Sequence, residues 1–369
     1  MAVVLSIVPY KFLPPKIGGQ KGIALFNEYF GRYVNLTCVT VNSNENEYAK
    51  GYEAIAAFSN SQLRYANPFT VFRLKKLIKE KKATHILLEH PYMGWMAYLL
   101  KKLMSTKLIV HSHNMEGLRF KTLGKWWWKL LWQYERFVHR HADYNFFIQE
   151  NDRQYAIMNF GLDAAKCIVV TYGIEINSIP TALEVEKAKN YVREKHGISP
   201  TEKILMFAGS FNYKPNLDAL EYIDKKVAPL LAQKNFKCKI LICGPWLESN
   251  SSSYPNVILT GFVDDISLYF KAADVFLNPV VEGGGIKTKL VEALGYNTNS
   301  VSSTNGAIGV DPSICNGKLT VTEDNDWEAF ANGIINVSEV KTDISPEYYQ
   351  HFYWGYSTKK AAEFIQQDA

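Results

Sequence analysis

Two acids, three glycines and a lysine cluster near residue 285: Glu282-Gly283-Gly284-Gly285, then Lys287, then Glu292. Three consecutive glycines let a ligand approach the backbone closely, because no Cβ intervenes. The free N–H groups at the start of a following helix favour an anion such as phosphate. Lys287 is expected in the first turn of that helix, where it adds a full positive charge. A lysine there opposes the helix dipole unless an anion is present, which favours an anion-binding role over a surface one. The two carboxylates have no evident part in holding a phosphate, so they point to hydroxyl-rich chemistry beside it. A nucleotide sugar combines the two.

The elements around this loop carry a resemblance. Thr260-Gly261-Phe262-Val263-Asp264-Asp265, Asn278-Pro279, the glycine loop, Lys287 and Val291-Glu292-Ala293-Leu294 resemble the donor-binding segment of retaining glycosyltransferases with the GT-B fold, the family-4 group in particular. The likeness is strong over residues 201–312 and weaker from 84 to 173. One feature departs from the family. Nine residues separate Glu282 from Glu292, two more than is usual, and the extra pair is placed after Gly285.

The resemblance implies an α/β architecture of two Rossmann-like, doubly wound domains facing a central cleft, with a last helix crossing back onto the N-terminal domain. It implies a nucleoside-diphosphate sugar as donor, a glycan or lipid-linked saccharide as acceptor, and no metal or further cofactor. Asp264-Asp265 is then not a metal motif. Catalytic roles fall on His113, Glu282 and Lys287. Glu282 matches the glutamate that contacts hydroxyls of the transferred sugar, and Glu292 the one that accepts from the ribose. His113, preferred over His111 and His90, takes a positioning and electrostatic role. Gly283, Gly284, Gly285, Ile286 and Thr288 line the donor, and Gly18-Gly19 serves the diphosphate from the opposite side. After the first strand of the second domain, Gly209-Ser210 has serine where arginine is common, and Lys214 is the candidate replacement. Phe262 lines the base pocket, with core packing an equal rival. Lys289 is expected in solvent. On the helix, Ile286, Leu290, Val291 and Leu294 set the core face. At about 100° per residue Glu292 falls away from that face, toward solvent or the cleft.

A chain of 369 residues is too long for one comfortable core and suits two domains. A net charge of +5 fits an anionic ligand or an acidic membrane face and argues little for nucleic acid. Five scattered cysteines without a CxxC pair read as reduced thiols in a cytoplasmic protein. Val3–Val8 reads as a first buried strand and not a signal peptide.

Apolar strands alternate with helices twice over, which argues for parallel, doubly wound sheets. The first series includes strands at Val3–Val8, Leu36–Val41, His85–Leu88, Leu108–His111 and Tyr144–Ile148, with helices from Gly22, Phe69, Trp95 and Lys125. The pattern resets near Ile168–Gly173, then runs through strands at Ile204–Phe207, Lys239–Cys243, Val257–Leu259, Val275–Leu277 and Ser300–Ser302. A helix Asn216–Leu231 and a Ser/Asn-rich loop at Ser249–Ser253 belong to this half. The expected domains are 1–173 and 174–350, with 351–369 as the crossover helix. In such sheets ligands sit at the carboxyl ends of the strands.

Trp126-Trp127-Trp128 and Trp132 stand among Arg119, Lys121, Lys125 and Lys129, and suit peripheral membrane contact. Packing of these tryptophans in the core is the competing expectation. Rivals to a transferase are a nucleotide-sugar epimerase of the same fold, for which no further acid or base groups are evident, and a nucleotide-binding subunit without turnover, which Ser210 keeps open. A nicotinamide dehydrogenase is disfavoured because no G-x-G-x-x-G follows the first strand.

Overall fold

A computed structural model describes residues 1–15, 18–245 and 254–367. The Ser249–Ser253 loop lies outside the described residues. The chain forms two compact units: Met1–Gly173 with Trp354–Ala369, and Ile174–Tyr353.

The first unit is built on seven parallel strands: β1 (Val3–Ile7), β2 (Asn35–Val41), β3 (Glu53–Phe58), β4 (His85–Glu89), β5 (Lys107–Ser112), β6 (Tyr144–Phe147) and β7 (Cys167–Val169), in the order β3-β2-β1-β4-β5-β6-β7. The second holds β8 (Lys203–Ala208), β9 (Cys238–Cys243), β10 (Val257–Gly261), β11 (Val275–Asn278), β12 (Asn299–Ser303) and β13 (Leu319–Thr322), in the order β10-β9-β8-β11-β12-β13. Helices cover both faces, so central strands such as Ile204–Phe207 are buried throughout. In each sheet the direction of strand addition reverses once, between β1 and β4 and between β8 and β11. Such a reversal opens a crevice at the carboxyl ends of the two strands concerned.

Several elements differ from expectation. The helix after β1 runs Gly18–Phe30, so Gly18 and Gly19 lie within its first turn and not in the loop before it. The basic, tryptophan-rich segment is two helices, Glu116–Thr122 and Trp128–His141. The expected helix Asn216–Leu231 becomes Lys214–Tyr222, a π turn at Ile223–Val227, and Ala228–Gln233. Pro229 explains the wide turn: its ring has no N–H to give and would clash with the carbonyl of Lys225 in a regular helix.

Helix Pro346–Phe352 braces the helix that follows the glycine loop. Tyr348 Oη donates to the Val291 carbonyl (2.8 Å) and Tyr349 Oη to that of Gly295 (2.7 Å), the second of these an acceptor left open at the helix end. The final helix, Trp354–Gln366, packs in the first unit against Gly18–Phe30. Its Trp354 is buried between Phe26 and Tyr172, with Gly173 underneath, where a Cβ would lie 2.4 Å from the indole. All five cysteines are free and buried, Cys38 and Cys167 in the first unit and Cys238, Cys243 and Cys315 in the second. Among the described residues no helix is long and apolar enough to cross a membrane.

Candidate active site

In the second unit the loops at the carboxyl ends of β8 and β11 carry most of the residues singled out above. Gly209 directly follows β8, Gly244 follows β9 and Gly261 ends β10. These ends are in backbone contact: Gly209 N–H donates to the Cys243 carbonyl (3.0 Å) and Gly244 N–H to that of Gly261 (2.9 Å). A Cβ on Gly244 would lie 1.8 Å from the Gly209 carbonyl oxygen, so nothing larger fits. The loop after β8 leans on the loop after β11. Gly283, at φ +90°, leaves room for Tyr213, whose hydroxyl would stand 2.7 Å from a Cβ there. Asn305 Nδ2 donates to the carbonyls of Val280 (3.2 Å) and Gly283 (3.3 Å), tying the glycine loop from beneath. Ile286 rests against Gly309, and Gly284 faces open space.

Lys287 is the residue before the helix, which spans Thr288–Gly295, and not part of its first turn. Its ammonium donates to the carbonyls of Gly283 (3.0 Å) and Gly285 (2.9 Å). Burial pulls its pKa down to about 8, with Asp324 acting the other way. The loop thus wraps a cation around which its own carbonyls turn inward. Glu282 is exposed beside it. Glu292 is buried, at 7% exposure, and receives a hydrogen bond from Lys289 (2.6 Å). Lys289 is therefore half-buried and paired, not solvated. Phe262 is 72% exposed, which removes core packing as its role. Ser210 sits in the loop after β8, its carbonyl accepting from Asn216 Nδ2 (2.9 Å). Lys214 is exposed and paired with Asp218 (2.6 Å), its charge already engaged at the start of its helix.

The first unit places His113 just beyond β5, in a cluster of imidazoles and buried carboxylates. His113 Nε2 lies 2.6 Å from Glu89 Oε2, and His111 Nδ1 lies 3.1 Å from the same oxygen. The His113 ring stacks on His90 at 4.5 Å, interplanar angle 22°. His90 has φ +69° and ψ 156°, a backbone state that costs a non-glycine residue about 1–3 kcal/mol. Its Nδ1 faces Glu116 Oε1 at 3.4 Å. Tyr92 Oη (2.6 Å) and Arg119 Nη1 (2.9 Å) donate to Glu116 Oε2. Burial would raise Glu116, but His90, Tyr92 and Arg119 together bring it to about 2. Behind it, the N–H groups of Glu116 and Gly117 donate to the two oxygens of Glu135 (2.8 and 2.9 Å). Ligand atoms of Glu89, His111 and His113 lie within 4.8 Å of one another, a set that could hold a metal ion. Gly18 and Gly19 belong to this unit as well, exposed at the start of the helix after β1.

Two family models divide the chain between them. "Glycosyltransferase Family 4" matches residues 27–178 and "Glycosyl transferases group 1" matches 202–339. The chain belongs to these glycosyltransferases. Solved glycosyltransferase-type structures share the whole fold. HepE of Anabaena, crystallised with UDP, has a TM-score of 0.73 at 14% identity, over 98% of this chain and 99% of that one. Sucrose-phosphate synthase of Thermosynechococcus elongatus reaches 0.71 at 14% identity, over 100% and 99%. The GT-B fold expected from the resemblance is therefore the observed one. A chitobiosyldiphosphodolichol beta-mannosyltransferase from Debaryomyces hansenii is 25% identical over 56% of this chain. The chain spans about half the length of that curated relative, 52% of it.

Reading the sequence missed Glu89, Glu116 and Glu135 as members of the histidine cluster. Glu89 left one trace: it is the only acid in His-Ile-Leu-Leu-Glu, at the end of a strand buried on every side. Glu135 is likewise the only acid of its helix, Trp128–His141, but that helix has a polar, water-facing side on which a lone glutamate draws no notice.

Proposed function

We propose that the chain is a retaining, metal-independent glycosyltransferase that moves a sugar from a nucleoside diphosphate to a glycan or lipid-linked saccharide. The observation carrying this reading is the half-buried Lys287 inside a glycine loop at the strand reversal between β8 and β11. As the glycosidic bond breaks, negative charge builds on the departing diphosphate. Oriented amides and a cation that need no rearrangement stabilise that charge most effectively. Gly283, Gly284 and Gly285, with Ile286 and Thr288, supply the amides and Lys287 the cation. Glu282 accepts from hydroxyls of the sugar and Glu292 from those of the ribose. Gly18-Gly19 adds helix-start amides for the diphosphate, and Phe262 offers an exposed ring for the base. His113 orients the reacting sugar. The acceptor attacks from the side of the leaving group, and the diphosphate takes its proton.

HepE binds UDP and, in a further crystal, UDP-glucose, which makes a uridine donor the first to try. Lipid-linked acceptors suit a cytoplasmic protein with peripheral membrane contact. In support, Trp126 is 84% exposed between exposed Leu123 and Leu130, with Lys121, Lys125 and Lys129 around them. Core packing fits Trp132, which bonds Tyr155 and stacks edge-on against Phe160, but not Trp126. The engagement of Lys214 by Asp218, with Ser210 in place of the common arginine, favours one second reading: a nucleotide-binding subunit without turnover.

A thermal-shift series with UDP, GDP, ADP and TDP identifies the base, because a ligand that binds the native state raises its melting temperature. Release of nucleoside diphosphate that depends on added acceptor then separates transferase from silent subunit. Nucleotide binding without acceptor-dependent release overturns the transferase.

A further inference from the structure

Glu89 is fully buried at the end of β4, and the partners recorded for its carboxylate among the described residues are two imidazoles. Burial alone would raise its pKa. The electrostatic pull and hydrogen bond of His111, and then those of His113, more than offset that and hold it well below the usual carboxylate range, while burial pushes His111 itself down toward the neutral ring. An ionised carboxylate can only accept hydrogen bonds. It therefore dictates where its neighbours keep their protons, on Nε2 of His113 and on Nδ1 of His111. In a neutral His113 ring, Nδ1 is then the acceptor. The plane of that ring is fixed as well, by His90 stacked at 4.5 Å and by His111 at the same centroid distance. His90 is itself anchored toward Glu116, whose backbone N–H is held by Glu135.

We propose that Glu89 is the positioning residue for His113 in sugar transfer: it fixes the tautomer and the orientation of that imidazole. The proposal rests on the reading of His113 given above and adds the residue through which His113 is set. A metal ion is the competing use of these three side chains. Ligand atoms on a tetrahedral metal at about 2.0–2.1 Å stand roughly 3.3 Å from one another. The 2.6 Å between Glu89 and His113 is well inside that spacing and marks a direct, short hydrogen bond to an ionised acceptor.

The test is Glu89→Gln in the full chain, with histidine ring nitrogens labelled and His113 assigned through His113→Gln. The carboxamide keeps the size of the side chain but drops the charge and turns one acceptor oxygen into a donor, so the two imidazoles must share a single neutral oxygen, or one of them must lose its contact or move its proton. Wild type is expected to show the Nε2-protonated pattern for His113, and Glu89→Gln to lose it. Turnover should fall about 10- to 100-fold, as for other groups that orient a histidine, with the donor KM within about twofold. Glu89→Asp keeps two acceptor oxygens and should keep the ring pattern and recover part of the turnover. An unchanged ring pattern in Glu89→Gln, or turnover within about twofold of wild type, overturns the proposal. So does one equivalent of Zn2+ bound by wild type and lost in Glu89→Gln. A wild type without transfer overturns the function itself, and with it the part of the proposal that concerns turnover, whatever the ring pattern.

Discussion

The Lys287 ammonium lies 2.9 Å from the carbonyl oxygen of Gly285, two residues back along the chain that it has to hold in place. The side chain thus both shapes the glycine loop and supplies the loop's charge. Burial lowers its pKa from the usual 10.5 to about 8. In the free protein Lys287 is charged below that value and neutral above it, so diphosphate affinity should hold steady at lower pH and weaken as pH rises through 8. A bound pyrophosphate favours the charged form, so binding near about pH 8.5 should take up a proton. Calorimetry in two buffers of different ionisation heat reads that uptake. Without ligand the sign is opposite. Between 8 and 10.5 the unfolded chain holds more protons, so this residue's contribution to stability rises with pH in that window. Equal affinity on both sides of pH 8 without proton uptake would place the diphosphate elsewhere.

Glu282→Ala and Lys287→Ala should each lower transfer by roughly 100-fold or more, the scale seen when a charge-stabilising group is removed. Circular dichroism should be unchanged for Glu282→Ala, whose side chain is exposed. Near-normal turnover in either variant means that the site is misplaced.

Glu292 and Lys289 divide a second effect. A hydrogen bond to a charged group is worth about 1.5–3 kcal/mol, so Glu292→Gln should weaken nucleotide binding by roughly 10- to 100-fold. Lys289→Ala, which removes a partly exposed ion pair, should weaken it only a few-fold. The diagnostic ligand is the 2′-deoxy nucleotide. If Glu292 serves the ribose, wild type discriminates against this ligand and Glu292→Gln does not.

Two adjacent glycines should respond differently to alanine. Gly283→Ala meets both a positive φ of +90° and the Tyr213 hydroxyl at 2.7 Å, and should lower the melting temperature. Gly284→Ala meets nothing within 4 Å and should leave stability alone while weakening nucleotide binding, since the added methyl occupies ligand space. Equal nucleotide affinity in Gly284→Ala and wild type would mean that the backbone there does not face the diphosphate.

Co-sedimentation with vesicles containing anionic lipid should pull the protein down at low salt and release it at high salt. Trp126→Ala should bind less well, because its ring is among the most exposed apolar groups of the first unit. No binding at low salt removes the membrane contact.

The fold was legible where strands are buried on both faces, because such strands read as unbroken apolar runs. Ile86–Leu88, Ile204–Phe207 and Val275–Leu277 are all of this kind. The strands that escaped, β3, β7 and β13, are all sheet edges. Glu-Ala-Ile-Ala-Ala-Phe has little β preference, and Leu-Thr-Val-Thr is half open to water, so neither stands out from a loop. The glycine loop and Lys287 were legible because their chemistry is local in sequence. The burial of Glu292 was not. The helical period places it away from the helix's own core face, but Tyr296 and Tyr348 come close enough to feel its charge, and no single-helix period records what packs from outside. Glu89 was hidden for the same reason: its partners, on β5 and just beyond it, are 22 and 24 residues away.

The buried thiols give the molecule a built-in gauge. Burial raises Cys167 to about 11 and Cys238, Cys243 and Cys315 to about 12, so in the native state they scarcely react with alkylating reagents. Each reacts once its own unit opens. Mass spectrometry of alkylated peptides across a urea series would therefore time the loosening of the two halves separately, with no engineered label, and would show which half a bound nucleotide protects.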